Sequence, residues 1–239
     1  MEGNSIVGRD KLIVAAYEYY FLINRGYSPK ASEELITAKH GLSREERILI
    51  KRCIHSTSLN RIVRSRILAP VEVKDKKLCI DGYNQLITVK ACLAGRPIYL
   101  CSDGLLRDNE LGRLVLDRRD LERLAQVLGE ALMELKPAIA IIVLDSARPW
   151  SRNHSRILAQ TLKQHTPIRT LVVLSKRTDS TLIAYSRSGC IISSSDIVVA
   201  LHASRIFDLA AYIAARKKCK VTNISPLLDR EHKRWCAGP

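Results

Sequence analysis

The chain has 239 residues, a formal net charge of +15 and a hydrophobic fraction of 46%. This composition supports a large folded core and excludes a globally disordered chain. The sequence contains no apolar run of about 18 residues and no signal-peptide pattern, so we expect a cytoplasmic protein without a membrane span. The positive charge predicts a polyanionic partner such as nucleic acid or anionic lipid, or else a solvated basic surface.

The first part of the sequence predicts a small helical domain. Between residues 9 and 68, apolar residues recur at helical spacing and no strand pattern occurs. Ser32 is the predicted cap of a short helix that ends at Gly41, and Ser43 with Glu46 forms a capping box for the next helix. Pro70 and the charged segment after it then provide a linker. We therefore expect a helical domain at residues 1–70 and a second domain at residues 71–239.

The second part alternates short apolar segments with segments of helical periodicity. The predicted strands are "KLCID", "RPIYLCSDG", "PAIAIIVLDS", "IRTLVVLS" and "GCIISSSD". Alternation at this spacing is typical of a parallel sheet with helices on its faces. The sequence therefore predicts an α/β fold with a three-layer, mostly parallel sheet, preceded by a small all-helical domain.

Four of the predicted strands end in an aspartate, at the edge where open parallel sheets bind their ligands. These residues are Asp81, Asp103, Asp145 and Asp196. Any one of them is also explained as a helix cap. Acids that converge on one point repel each other unless a cation is present, so the group as a whole predicts a site for Mg²⁺ or Mn²⁺. Asp179 is a further candidate ligand.

The segment between Asp145 and Asp179 contains no acidic residue but several basic ones. They are Arg148, Arg152, Arg156, Lys163, Arg169, Lys176 and Arg177. Some of them recur at helical spacing opposite an apolar stripe, which predicts a helix with a cationic outer face. An acid-free cationic surface is suited to the phosphates of nucleic acid. His154 is interpreted as a proton donor or phosphate-orienting group, or as a surface histidine without a role.

The cysteines and the common catalytic motifs offer little else. The seven cysteines contain no CxxC pair, and their scattered spacing suits a reducing compartment, with Cys79 and Cys101 as small buried core residues. Cys219, His232 and Cys236 lack a fourth ligand, so zinc is not expected. The sequence has no GxSxG, GxxxxGK[ST] or GxGxxG, which excludes elbow hydrolases, P-loop proteins and dinucleotide-binding proteins.

The segments "IDGYN", "VLDS" and "SSSD" resemble the PIN-like and NYN group of nucleases. The resemblance implies a PIN-like, Rossmann-type sheet whose carboxyl edge holds Mg²⁺ or Mn²⁺ for phosphodiester hydrolysis. It places Asp81, Ser194 and Asp196 at motif positions, and Asp145 after a central strand. The group commonly supplies another acid from a helix, and the candidates for that acid in this chain are Asp103, Asp108 and Asp179.

A longer resemblance covers most of the chain. The order "NRGY", "LSREER", "IDGYN", "LCSDG" and "LD" resembles uncharacterised archaeal proteins that join a small helical domain of unknown function to a PIN- or NYN-like domain. This resemblance implies a related fold and carries no established activity.

These patterns lead to one principal hypothesis and two alternatives. The principal hypothesis is a metal-dependent ribonuclease, or an inactive relative, that binds RNA or a ribonucleoprotein through Asn84, Arg148, Arg152, Arg156, Lys163 and Ser194. The first alternative is an RNA- or ribosome-associated binding protein without catalysis. The second is a small-molecule phosphohydrolase, which would not need the acid-free basic segment. The oligomeric state is not predicted.

Overall fold

The computed structural model describes residues 10–109, 115–226 and 228, which form two compact units. The first, which we call the mixed unit, contains residues 10–64, 97–109, 220–226 and 228. The second, which we call the parallel-sheet unit, contains residues 65–96 and 115–219. Within the described ranges, no helix is long and apolar enough to cross a membrane.

Helices make up the first part of the chain, and strands alternate with helices after it. The helices are α1 (Asp10–Asn24), α2 (Pro29–His40), α3 (Arg44–Cys53), α4 (Thr57–Arg64), α5 (Gly82–Leu93), α6 (Arg118–Leu135), α7 (Ser151–His165), α8 (Thr178–Arg187), α9 (Ile197–His202) and α10 (Leu209–Arg216). The strands are β1 (Lys77–Asp81), β2 (Ile98–Leu100), β3 (Leu106–Asp108), β4 (Ile139–Asp145), β5 (Thr170–Ser175), β6 (Ile191–Ser193) and β7 (Val221–Asn223). A short 3-10 helix, Pro70–Val73, precedes β1.

The first four helices lie in the mixed unit, and their caps follow from the local sequence. The predicted capping box is confirmed, because the Ser43 hydroxyl accepts from the Glu46 amide at 3.2 Å and the Glu46 carboxylate accepts from the Ser43 amide at 2.7 Å. The predicted cap of α2 is wrong, since Ser28 accepts from the amide of Ala31 at 3.1 Å instead. Proline is well tolerated in the first turn of a helix, so α2 starts one turn earlier than predicted.

The mixed unit also contains a three-stranded sheet in the order β3-β2-β7. The sequence predicts the segment "RPIYLCSDG" as a strand of the parallel sheet, and this assignment is wrong. Gly104, with a φ of 87°, reverses the chain, and β3 then pairs antiparallel with β2. On its other side, β2 pairs in parallel with β7, with Ile98 opposite Val221. Tyr99, Cys101 and Ile224 are buried in one core with α1 and α3.

The parallel-sheet unit is built on a four-stranded sheet in the order β5-β4-β1-β6. All three strand pairs are parallel, so the predicted α/β fold with a mostly parallel sheet is confirmed. The chain moves from β1 to β4 and β5 on one side and then returns to place β6 on the other side of β1. The order of the strands therefore reverses between β1 and β6, which is where open α/β sheets form ligand crevices.

Gly82 allows α5 to begin close to β4, because glycine has no side chain. This helix begins directly after Asp81, the last residue of β1. A Cβ atom at position 82 would lie 2.9 Å from the side chain of Ile142 and 3.0 Å from the carbonyl oxygen of Val143. A larger residue would therefore push the start of α5 away from β4, and with it the end of β1 at Asp81.

Helix α7 has the amphipathic character that the sequence predicts. Leu158 and Leu162 are completely buried on its inner face. Arg152, Arg156 and Lys163 are exposed. The opposite burial of the two sets confirms the predicted helix with an apolar inner face and a cationic outer face.

The cysteines differ from the expected isolated thiols. Cys79 and Cys101 are both buried, as predicted, but Cys101 forms a disulfide with Cys53 in the mixed unit. Cys92 and Cys219 form a second disulfide, which lies in the parallel-sheet unit. The sequence does not predict these pairs because their partners are 48 and 127 residues apart. His232 and Cys236 lie outside the described residues.

Candidate functional site

The site begins with Asp81 at the reversal between β1 and β6. Ile80 lies opposite Ser193 in the sheet, so Asp81 and Ser194 are the next residues on the two neighbouring strands. The Ser194 hydroxyl donates a hydrogen bond of 2.8 Å to the Asp81 carboxylate. Both side chains are buried. This hydrogen bond joins the two strand ends at the crevice position of the fold.

Asp81 has an unfavourable electrostatic environment for a carboxylate. Burial raises its pKa to about 6, and the negative charges of Asp196 and Asp179 add to the shift. The hydrogen bond from Ser194 opposes the shift without cancelling it. Asp81 is therefore a buried acid with other acids nearby and a neutral hydroxyl as its hydrogen-bonded side-chain partner.

Asp196 follows β6 and caps α9. One of its carboxylate oxygens accepts from the amides of Val198 at 2.8 Å and Val199 at 3.2 Å. Its own amide donates to the Ser194 hydroxyl oxygen at 3.2 Å. The cap fixes the position of Asp196 and uses one carboxylate oxygen.

Asp145 and Asp179 add two further acids to this edge of the sheet. Asp145 ends β4, and one of its oxygens accepts from the Ala147 amide at 2.8 Å. Asp179 lies in the first turn of α8, and burial raises its pKa together with the charges of Asp196 and Asp145. The charges of the four predicted acids are thus connected, because the pKa of Asp81 responds to Asp196 and Asp179, and the pKa of Asp179 responds to Asp196 and Asp145.

Asp103 does not belong to this set. It lies in the turn between β2 and β3 of the mixed unit, where the Arg107 guanidinium donates to both of its carboxylate oxygens, at 2.8 and 2.6 Å. Burial opposes ionisation, but the charge and hydrogen bonds of Arg107 outweigh it and lower the pKa of Asp103. The prediction that Asp103 ends a strand of the parallel sheet is wrong, because the Asp-Gly pair makes a hairpin turn there. Asp108 ends β3 in the same unit.

Asn84 lies in the first turn of α5 and has a structural role. Its side-chain oxygen accepts from both the amide and the hydroxyl of Ser195, each at 3.0 Å, and from Gln85 at 2.9 Å. These bonds fix the loop that carries Ser194 and Asp196. The oxygen of this predicted RNA contact is therefore already used to shape the site.

The donor set suits a hard divalent cation. Carboxylate and hydroxyl oxygens are the ligands that Mg²⁺ and Mn²⁺ prefer. Beside Asp179, the Thr178 hydroxyl is buried without a hydrogen-bond partner. Within residues 10–109, 115–226 and 228, no three His, Cys, Asp or Glu side chains already stand in metal-ligating positions. A cation at this edge would therefore have to draw the carboxylates inward.

Two aromatic residues near the acidic edge, Tyr83 and Trp150, are not identified as site residues by the sequence patterns. Tyr83 follows Gly82 in the "IDGYN" segment, and its hydroxyl forms a hydrogen bond of 3.0 Å with Nδ1 of His154. The Arg148 guanidinium stacks over the Tyr83 ring, 4.9 Å from its centroid. Trp150 precedes α7 and is 75% exposed. The signal that could have found Tyr83 is its place two residues after the strand-end acid, where an aromatic ring can line a site.

Comparison with known proteins gives the family. A family model described as "Domain of unknown function (DUF5616)" matches residues 70–212, which is more than half of the chain. The chain belongs to this family. A second model, "Protein of unknown function (DUF434)", matches residues 11–66. The two models support the predicted order of two uncharacterised domains, one matched at residues 11–66 and the other at residues 70–212.

The chain is also similar to an uncharacterized protein of Methanocaldococcus jannaschii. The two are 33% identical over 96 residues, which cover 40% of this chain and 46% of that relative. The alignment thus spans less than half of the archaeal protein. No solved structure matches the chain significantly.

Proposed function

We propose that the parallel-sheet unit is a PIN-like, metal-dependent phosphodiesterase that acts on RNA. The observation that supports this most strongly is the set of carboxylates at one sheet edge: Asp81, Asp145, Asp179 and Asp196. The pKa values of two of them, Asp81 and Asp179, are raised partly by the charges of the others. A cluster of this kind is stabilised when a cation is added, and perturbed acids in a cleft are characteristic of functional sites.

The four acids come from different elements of the edge. Asp81 and Asp196 belong to the reversal between β1 and β6, Asp145 ends β4, and Asp179 in α8 interacts electrostatically with the other three. Together they would hold one or two Mg²⁺ or Mn²⁺ ions. The bound ion would lower the pKa of a coordinated water and offset the charge that grows on the scissile phosphate. The hydrogen bond of 2.8 Å from Ser194 would hold the Asp81 carboxylate in place at this site.

The basic residues would bind the RNA backbone. Arg148 follows Asp145 by three residues, and Arg152, Arg156 and Lys163 are exposed along α7. Because no acid occurs between Asp145 and Asp179, this segment carries no charge that repels phosphate. Contacts of this kind position the strand but do not read its sequence.

The proposal is tested by RNA cleavage in the presence of Mn²⁺. Wild-type protein should cleave a single-stranded RNA, and Asp81→Asn and Asp145→Asn should each abolish cleavage. Asp75→Asn is the matched control, because Asp75 is exposed and its φ of 57° is one that asparagine also tolerates. Cleavage that survives both site substitutions, or that Asp75→Asn also abolishes, would contradict the assignment.

A second candidate is an RNA-binding protein without catalysis. The cationic outer face of α7 supports it, since this face does not depend on the acids. It predicts RNA affinity that falls steeply with salt, no cleavage with any divalent cation, and unchanged affinity in the Asp→Asn variants.

A further inference from the structure

A pocket of about 270 Å³ opens beside the acidic edge of the parallel-sheet unit. It is lined by Tyr83, Val115, Leu116, Arg148, Pro149, Trp150 and His154. Aromatic rings and apolar side chains thus form most of the wall, together with one guanidinium. The volume falls just below the range of about 300 Å³ and more that drug-sized ligands fill, so it suits a single small ring system.

Trp150 is a large aromatic side chain that lines the pocket and remains exposed to solvent. A side chain of this size is seldom left 75% exposed, and in this chain it is held at the mouth of a pocket. Its φ is 64°, in a backbone region that large residues rarely adopt. The Trp150 carbonyl accepts from the His154 amide at 2.9 Å, so the first turn of α7 keeps this conformation in place. Strained and exposed aromatic residues of this kind concentrate at binding sites.

Contacts between lining residues hold Tyr83 in place in the pocket. Tyr83 is buried, and its ring is fixed by the hydrogen bond to His154 and by the stacked Arg148 guanidinium. Burial lowers the pKa of His154, so its imidazole is neutral near neutral pH and adds no charge to the wall. Arg148 is the charged group in the lining and has a planar face that can stack.

The pocket adjoins the acidic site. Tyr83 lies two residues after Asp81, and Arg148 lies three residues after Asp145. The Arg148 amide donates to the Asp145 carbonyl oxygen at 3.3 Å, so Arg148 lies in the turn that follows the end of β4. A ligand ring in the pocket would therefore have its attached groups within reach of the carboxylate edge.

We infer that this pocket takes one unpaired base of a single-stranded RNA, with Trp150 as its stacking platform. The inference rests on the proposed function and names the form of RNA that the site takes. Aromatic and guanidinium planes are the surfaces on which proteins stack single-stranded bases. A paired base cannot enter, because its faces and edges are already used within the duplex. The base anchors the strand, and the next phosphodiester lies at the acidic edge.

The test measures binding in EDTA by fluorescence anisotropy, so that the readout does not depend on cleavage. The probes are a labelled single-stranded oligoribonucleotide, an abasic strand of the same length and charge, and an RNA duplex. The intact single strand should bind more tightly than the other two. Trp150→Ala should weaken its binding roughly 5- to 150-fold, the range for one stacked base, while Trp150→Phe should restore most of it.

Tyr27→Ala is the matched control, since Tyr27 is a 60% exposed aromatic residue of the mixed unit. It should leave binding of the single strand unchanged. Equal binding of the abasic strand, or unaltered affinity in Trp150→Ala, would overturn the base pocket. Equal losses in the Trp150 and Tyr27 variants would also overturn it.

The same experiment separates this inference from the proposed chemistry. Asp81→Asn should keep base-dependent binding in EDTA although it abolishes cleavage in Mn²⁺. Base-dependent binding without any cleavage by wild-type protein would refute the phosphodiesterase and keep the pocket. Cleavage with no preference for single strands over abasic strands would refute the pocket and keep the phosphodiesterase.

Discussion

Asp103 in the mixed unit and Asp81 in the parallel-sheet unit are both buried aspartates, yet they have opposite environments. Asp103 is fully buried and is held by the guanidinium of Arg107, which lowers its pKa. Asp81 is 8% exposed, has a serine hydroxyl as its hydrogen-bonded side-chain partner and has its pKa raised to about 6. One charge is compensated by the protein itself, and the other is surrounded by further negative charge. The comparison distinguishes Asp103, whose negative charge is balanced within the fold, from Asp81, whose negative charge is not balanced.

The largest expected effect concerns Asp103 and its counter-ion Arg107. Arg107→Met would leave the Asp103 carboxylate buried without its counter-ion, which costs about 3–5 kcal/mol of the free energy of unfolding. Urea denaturation measures the loss. Adding Asp103→Asn should recover part of it, because the double variant no longer buries an unpaired charge. The exposed ion pair of Arg118 and Glu122 is the control, and Arg118→Met should have no measurable effect. Equal losses in the single and double variants would contradict the comparison.

The second effect concerns Asp81, and here the substitution should stabilise the protein. Because the pKa of Asp81 is about 6 in the folded protein and about 4 in an unfolded chain, the folded state binds more protons between these values. Its contribution to stability is therefore lost as pH rises through about 4 to 6. Asp81→Asn removes this loss and should raise the free energy of unfolding by roughly 3 kcal/mol at neutral pH. Urea denaturation at both ends of this range measures it.

Added Mn²⁺ sharpens the same prediction. A cation that binds the folded state stabilises it by mass action, so wild-type protein should gain stability in Mn²⁺ at neutral pH. Asp81→Asn should gain less. A pH-independent difference between wild type and Asp81→Asn, or an equal Mn²⁺ response in both, would refute the electrostatic account of this acid.

A third, smaller effect tests what holds Asp81 in place. Gly82→Ala should destabilise the protein by about 1–3 kcal/mol, since the added methyl group meets the side chain of Ile142 and the carbonyl oxygen of Val143. Gly129→Ala in α6 is the control. Its Cβ atom would meet His165 at 3.3 Å, a close contact but a smaller overlap than at position 82, and alanine favours the helix. Thermal unfolding should therefore separate the two variants, and a similar shift in both would show that packing at position 82 is ordinary.

The smallest expected effect concerns Ser194. Ser194→Ala removes the hydrogen bond that lowers the pKa of Asp81, so this pKa should rise further above 6. The cost in stability at neutral pH should be about 1 kcal/mol. NMR titration of the Asp81 carboxyl carbon measures the shift, and Ser180→Ala, at an exposed position of α8, serves as the control. An unchanged or lower pKa in Ser194→Ala would mean that the hydroxyl does not stabilise the charged form.

The sequence predicts the parallel sheet well because its strands are buried and therefore appear as continuous apolar runs. The segment of β4, "IAIIVLD", is the clearest example. The mixed sheet is not predicted, since β3 and β7 have three residues each and too few positions for a periodic pattern. The same holds for the pairing of β2 with β7, which depends on residues more than a hundred positions apart.

The residues of the candidate site also divide into those that the sequence predicts and those that it does not. Acids at strand ends are visible in the sequence because the strands are visible, and this gives Asp81, Asp145 and Asp196. Asp103 is assigned wrongly because an Asp-Gly pair after an apolar run describes both a strand end and a hairpin turn. The pocket of Trp150 is not predicted at all, since it depends on a backbone angle and on residues from three separate segments.

The pairing of β2 with β7 has a consequence for how the protein is made. Helices α1 and α3 leave the ribosome early, but Ile224 and Leu228, which pack in the same core, leave it only after the parallel-sheet unit. The apolar side chains of the first helices therefore stay incompletely covered while the whole parallel-sheet unit is synthesised. Synthesis of the mixed unit begins before that of the parallel-sheet unit and ends after it. A stop codon shortly before β7 would therefore leave the core around α1 and α3 without Ile224 and Leu228.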